Sequence, residues 1–144
     1  MAVIQPKLTI VANSSAASNQ AGPASIAVNL SATPISNTSI VTSLETQIYN
    51  TTASPVKVFD SANYGKSYIY MKNLETSAGA SQDIYVGITE GTQNDMGTNS
   101  GGDDRTFTIS AGEFVYFPWS GDQDVYVEGA SADDKLEIWL FKTT

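Results

Sequence analysis

The stretch "AGEFVYFPWSGDQDVYV", residues 111–127, decides the fold class. Ala-Gly-Glu opens it as a turn. Phe114-Val115-Tyr116-Phe117 then has the aromatic and β-branched content of a pleated strand. Pro118 ends that run, because proline brings no ladder N–H and is tolerated at strand ends and edges. Ser120-Gly121-Asp122 turns the chain, and Asp124-Val125-Tyr126-Val127 starts a second strand. The same alternation of short runs and turn clusters extends both ways. It places strands at 7–11, 25–30, 39–50, 55–59, 67–74, 83–89, 105–109, 113–118, 124–128 and 135–142. Between them lie "SANYG", "TSAGAS", "GTNSGGDD" and "SAG". No helix is predicted; "SADDK" at 131–135 makes one turn at most.

About ten short strands predict an all-β chain, a β-sandwich and within that class a jelly roll, with a closed barrel as the alternative. Period-two alternation assigns the core to Ile84, Val86, Ile88, Val125, Val127, Leu136, Ile138 and Leu140. The pentapeptide Gln-Asp-aliphatic-Tyr-Val occurs twice, at 82–86 and 123–127. The similarity stops within a few residues, which argues against a duplicated domain. Two strands of one sandwich that solve the same packing problem explain it.

The chain of 144 residues fits one domain, 1–144. Residues 1–56 hold two charged side chains, Lys7 and Glu45, and are rich in Ser, Thr, Ala and Asn. Two readings stay open: sandwich strands joined by polar loops, or a segment 1–30 that forms an extended N-terminal arm or edge on a neighbouring subunit. Few charges suit a covered segment, since desolvating a charge is costly.

Composition also excludes. There is no cysteine, hence no disulfide or thiolate site, and no histidine, hence no Ser-His-Asp or Cys-His catalysis. A net charge of −8 and a single arginine, Arg105, argue against a nucleic-acid partner. No apolar run approaches the about 18 residues of a membrane span, and the start "MAVIQPKLTIVANSS" does not read as a secretory signal.

Stretch 111–127 is similar to the second motif of the cupins, which are double-sheet jelly rolls. Gly112 and Pro118 have that motif's spacing, and Gly121 falls one residue late. Where cupins place a metal-binding histidine, this chain has Gln123 and Asp124. The resemblance implies a jelly-roll hairpin and no cupin metal chemistry. The acidic loop 89–106 offers Asp95, Asp103 and Asp104 as oxygen donors to Ca²⁺ without EF-hand spacing; a solvated connection is the plainer reading. Glu113, Glu128 and Glu137 lie on strands in outward phase, with nothing to pair two of them for hydrolysis. Catalytic residues, metal ligands and cofactors are therefore all expected to be absent.

The aromatics carry more. Tyr85, Tyr126 and Trp139 alternate with the assigned core and leave it, which makes them the interface candidates. A subunit interface, a sugar platform and simple packing on a covered face all remain open. The series "SYIYMKNL", "DIYVGIT", "RTFTISAGEFVYFPWSGDQDVYVEG" and "KLEIWLFK", over residues 66–142, resembles small β-rich virion structural proteins of tailed double-stranded DNA bacteriophages, marine phages in particular. That resemblance implies a non-enzymatic role: a capsid decoration (cement) protein bound to the major capsid protein, assembled as a homo-oligomer, with a trimer favoured. It implies synthesis in the host cytoplasm and a place on the outer surface of the virion. The alternative within the same resemblance is a head- or tail-fibre module that contacts host glycans.

Overall fold

A computed structural model describes residues 2–3, 7–13, 25–31, 40–77, 80–89 and 105–143, with side chains at 45–77, 81–89 and 105–142. The chain divides into two compact units, residues 1–40 and 41–144. The first holds β1 (Ala2–Val3) and an antiparallel ribbon of β2 (Lys7–Asn13) and β3 (Ser25–Ser31).

The second unit contains β4 (Ile40–Asn50), β5 (Val56–Phe59), β6 (Ser67–Asn73), β7 (Ile84–Thr89), β8 (Arg105–Ile109), β9 (Phe114–Trp119), β10 (Asp124–Gly129) and β11 (Lys135–Thr143). They form two antiparallel sheets, ordered β4-β11-β6-β9 and β5-β10-β7-β8. The predicted all-β class holds. Two of the ten predicted stretches, 7–11 and 25–30, form the separate ribbon, so eight strands build the two sheets. One 3₁₀ turn spans Ala80–Gln82, and no helix among the described residues is long and apolar enough to cross a membrane.

The pairing is nested: β4 with β11, β5 with β10, β6 with β9 and β7 with β8. It is one long double-stranded ribbon that is folded over, with every connection except β7–β8 passing from one sheet to the other. The corners account for four buried polar residues, Thr51, Asn73, Asp124 and Asp134. At the first, the Thr51 N–H donates to Asp134 O (2.9 Å), the Asp133 N–H to Thr51 O (2.8 Å) and the Gly129 N–H to Thr52 O (2.9 Å). At the second, the Ser61 N–H and hydroxyl both donate to Asp124 Oδ1 at 2.8 Å. At the third, Asn73 Nδ2 donates to Gln82 O (2.7 Å) and Ile109 O (3.0 Å), and the Glu75 N–H donates to Asn73 Oδ1 (3.0 Å). These bonds satisfy groups that a bare fold-over would leave unpaired.

The stretch 111–127 is such a corner, not a hairpin. β9 pairs with β6 in one sheet and β10 with β5 and β7 in the other. The Trp119 indole N–H donates to Gln123 O across the turn (2.9 Å), and its ring packs with Phe59 and Tyr64. Gly121 sits at φ +82°, and a Cβ there would fall 2.7 Å from the Gly65 carbonyl carbon. Only glycine fits both the angle and the close approach.

Phe59, Ile69, Met71, Ile84, Val86, Ile109, Trp119, Val125, Val127, Leu136, Ile138 and Leu140 form one buried cluster drawn from both sheets. Ile88, assigned to the core from sequence, is half-buried and packs against it.

Candidate functional site

On β11, Leu136, Ile138 and Leu140 point into the core, so Glu137, Trp139 and Phe141 point out. Register carries this outer face across the sheet. Ile48 and Thr46 on β4 lie opposite Glu137 and Trp139. Lys72, Tyr70 and Tyr68 on β6 lie opposite Glu137, Trp139 and Phe141. Phe114, Tyr116 and Pro118 on β9 lie opposite Lys72, Tyr70 and Tyr68. Six of the eleven outward residues named are aromatic: Trp139, Phe141, Tyr68, Tyr70, Phe114 and Tyr116.

Its rings form a continuous network. Trp139 meets Tyr70 at 6.0 Å between centroids and Phe141 at 6.1 Å. Tyr70 meets Phe114 at 5.9 Å and Phe141 meets Tyr116 at 6.4 Å. Tyr116 stacks on Tyr68 at 5.7 Å with 4° between the planes. Such pairs contribute roughly 0.5–1.5 kcal/mol each beyond area burial, so the rings hold one another in place. The Trp139 indole N–H donates to Glu137 Oε1 at 3.0 Å, which fixes its orientation. Burial raises the phenol pKa of Tyr70 and of Tyr116, so both stay neutral and add no charge to the face.

The network remains open to solvent. Ile48 is 66% exposed, Phe114 59% and Trp139 36%. A shallow groove of about 240 Å³ runs between Tyr70, Tyr116, Glu137, Trp139 and Phe141.

The sequence-predicted residues divide between two faces. Trp139 is the centre of the aromatic one. Tyr85 and Tyr126 lie on the outer side of the other sheet, where the twin pentapeptides sit on the neighbouring strands β7 and β10. Tyr126 is 8% exposed, which departs from its expected place on an open surface. Lys57 lies opposite it in register and above its ring, 5.8 Å from the centroid. The Tyr85 ring is covered by Arg105, whose guanidinium carbon is 4.3 Å from its centroid. On the same face Lys57 Nζ pairs with Asp124 Oδ2 at 2.6 Å. That ion pair, with the two Ser61 donors, lowers the Asp124 pKa to about 2. Glu128, predicted outward, does point away from the core but is 3% exposed.

Glu113 accepts the Ser110 N–H at its turn, and Glu137 serves Trp139. Asp95, Asp103 and Asp104 lie outside the described residues, as do the side chains of 1–30. Among the described residues no group of three His, Cys, Asp or Glu is placed to hold a metal ion.

Sequence reasoning missed Tyr68, Tyr70, Phe114, Tyr116, Phe141 and Ile48 as members of the site. The signal was present in "SYIYMKN", where the two tyrosines alternate with core residues. In "FVYF" both phases are apolar, so alternation could not sort them. Comparison with protein-family models, with curated proteins and with solved structures finds no match to this chain.

Proposed function

We propose that the protein is a non-enzymatic virion structural subunit: a capsid decoration protein of a tailed phage, docked on the major capsid protein through the aromatic face of the β4-β11-β6-β9 sheet. The observation that carries this reading is the exposed ring network around Trp139. A folded chain leaves large apolar groups open where a partner covers them, and aromatic residues with few charges characterise interface centres. The virion assignment rests on the resemblance over residues 66–142 to phage structural proteins. The acidic charge suits an outer surface better than one that lines packaged DNA.

We also read the second unit as a jelly-roll sandwich. The nested pairing and two-sheet strand order support it, since rolling one ribbon over itself gives that architecture.

The size of the face informs the mechanism. Four strands by about six residues cover roughly 400 Å² in projection. A standard interface buries about 800 Å² per partner. The face therefore forms the centre of a larger contact, completed by its surroundings and by assembly as a homo-oligomer, with a trimer favoured. Repetition over a symmetric shell then adds avidity.

The alternative is a fibre module that holds host glycans in the groove beside Trp139. The ring geometry favours a protein partner. Trp139 and Tyr70 are inclined at 70°, Phe141 and Tyr116 at 69°, and Tyr70 and Phe114 at 33°. Inclined rings make a relief for interdigitating side chains, whereas a sugar ring stacks on a flat one. Quantitative mass spectrometry of the particle tests the reading. Hundreds of copies per virion and heat-labile capsids on removal are expected. A copy number in the tens, with cell binding, would overturn it in favour of the fibre module.

A further inference from the structure

On β4, Tyr49 packs against the core, but the two residues that precede it on the same side of the strand are polar and exposed. Gln47 and Glu45 lie opposite Ile138 and Leu140 of β11, so the polar pair is on the core side of the sheet. Ile48 is on the solvent side. Sandwich packing asks for the reverse, and such violations concentrate at functional sites. What this one creates is a cavity of about 320 Å³ between β4 of one sheet and β5 of the other.

The walls of this cavity are chemically varied. Val58, Phe59 and Ile138 give it an apolar floor. Glu45 and Gln47 stand along one side, and Tyr64 along another, donating its hydroxyl to Glu45 Oε2 at 3.1 Å. The Tyr64 ring is held edge-on to Phe59 at 5.5 Å, with Trp119 behind it at 6.2 Å. Desolvation and then the Glu45 contact raise the Tyr64 pKa, so the phenol keeps its proton and stays a donor.

We propose that this cavity binds a small neutral polyhydroxylated ligand, a hexose or the terminal sugar of a glycan. The wall chemistry disfavours the other classes. Glu45 opposes an anion. A cation would compete with Lys142, whose Nζ already lies 5.6 Å from the Tyr64 centroid. A wholly apolar ligand would strip water from a carboxylate and an amide with no return. A sugar has an apolar C–H face for the floor and hydroxyls that donate to Glu45 and exchange bonds with Gln47. This site is separate from the aromatic docking face, and the inference stands whether or not that face meets a capsid.

The test uses the full chain, ¹⁵N-labelled, titrated with glucose, galactose, mannose and N-acetylglucosamine at millimolar concentration, and a glycan array for terminal sugars. The expected result is saturable amide shifts at Glu45, Gln47 and Tyr64 with at least one sugar. Array signal without free-hexose shifts identifies a glycan terminus as the ligand, provided Gln47→Ala abolishes it. Glu45→Ala and Gln47→Ala should each weaken binding about tenfold or more, since each removes hydrogen bonds to the ligand. Thr108→Ala, on the other sheet, should leave it unchanged. Gln47 is exposed, so its variant reads out binding even if Glu45→Ala impairs folding. Silence from all four sugars and the array overturns the proposal, as does binding that survives both substitutions.

Discussion

The two sheets of the second unit turn opposite chemistries outward. The outer side of β5-β10-β7-β8 carries Asp124, Tyr126 and Glu128, yet all three are buried. The outer side of β4-β11-β6-β9 carries Ile48, Phe114 and Trp139, and these are open. Two carboxylates are closed on one face while three large apolar side chains are bare on the other, the inverse of ordinary surface economy. On the closed face Lys57 and Ser61 satisfy Asp124, and cations lie over Tyr126 and Tyr85. The open face completes its ring-to-ring contacts and then stops. On the proposed reading one face belongs to folding and the other to association, and substitutions should separate them.

The largest effect is expected on the closed face. Asp124→Ala removes the acceptor of both Ser61 donors and the nearer of the two carboxylates that pair with Lys57, and should lower stability by about 2 kcal/mol. Urea unfolding followed by fluorescence measures this, and partner retention by the folded fraction should not change. The acid limb gives a sharper version. The Asp124 pKa lies at about 2 against an ordinary 3.8. A depressed carboxylate adds stability above its unfolded pKa and loses it as pH falls through its folded one. Asp134, raised by burial, acts in the opposite sense. The informative quantity is thus the gap between wild type and Asp124→Asn. It should be constant above about pH 5 and close toward pH 2. A gap that persists at pH 2 would remove the ion pair from the account of this face.

The open face should respond the other way. Ile48→Ser combined with Phe114→Ser removes the two most exposed large apolar side chains among the described residues. Stability should fall by about 1 kcal/mol, chiefly from the lost Phe114–Tyr70 ring contact. Retention on capsids, or self-association measured by sedimentation, should weaken about tenfold or more, the equivalent of roughly 1.4 kcal/mol. Unchanged association would show that the face is bare for no partner.

This separation was only half legible in the sequence. The strands were readable because turn clusters punctuate them, and the core of β7, β10 and β11 because period two is clean there. Alternation also showed that Tyr85, Tyr126 and Trp139 leave the core. It could not show that they leave on different sheets, because sheet membership is set at the corners. The corner at 120–123 looks locally like a hairpin turn; its sheet-crossing role depends on Gly121 meeting residues 64–65 and on Trp119 meeting Phe59, both distant in sequence. Nor could alternation say that Tyr126 is closed, since Lys57 reaches it only through the β5–β10 register. The polar core-side pair of β4 is visible in "SLETQIY" only after Gln47 is known to oppose Ile138.

The smallest predicted effect tests whether Tyr85 belongs with Tyr126 or with Trp139. It was an interface candidate from sequence, and it remains half-exposed. On the closed face its ring supports Arg105, a cation–π contact that contributes about 0.5–1 kcal/mol at a partly exposed site. Tyr85→Leu preserves apolar bulk on the strand and removes the ring. If Tyr85 is part of the closed face, the variant should lose about that much stability in urea unfolding and retain full association. If it is a contact residue, stability should hold and association should fall, the latter as for Ile48 and Phe114. Arg105 faces β7 at Gly87, the position next to the ring it covers, so the contact is built into the strand register. A contact fixed by register is one that folding has already used, which groups Tyr85 with Tyr126 and leaves the aromatic sheet around Trp139 as the surface proposed for a partner.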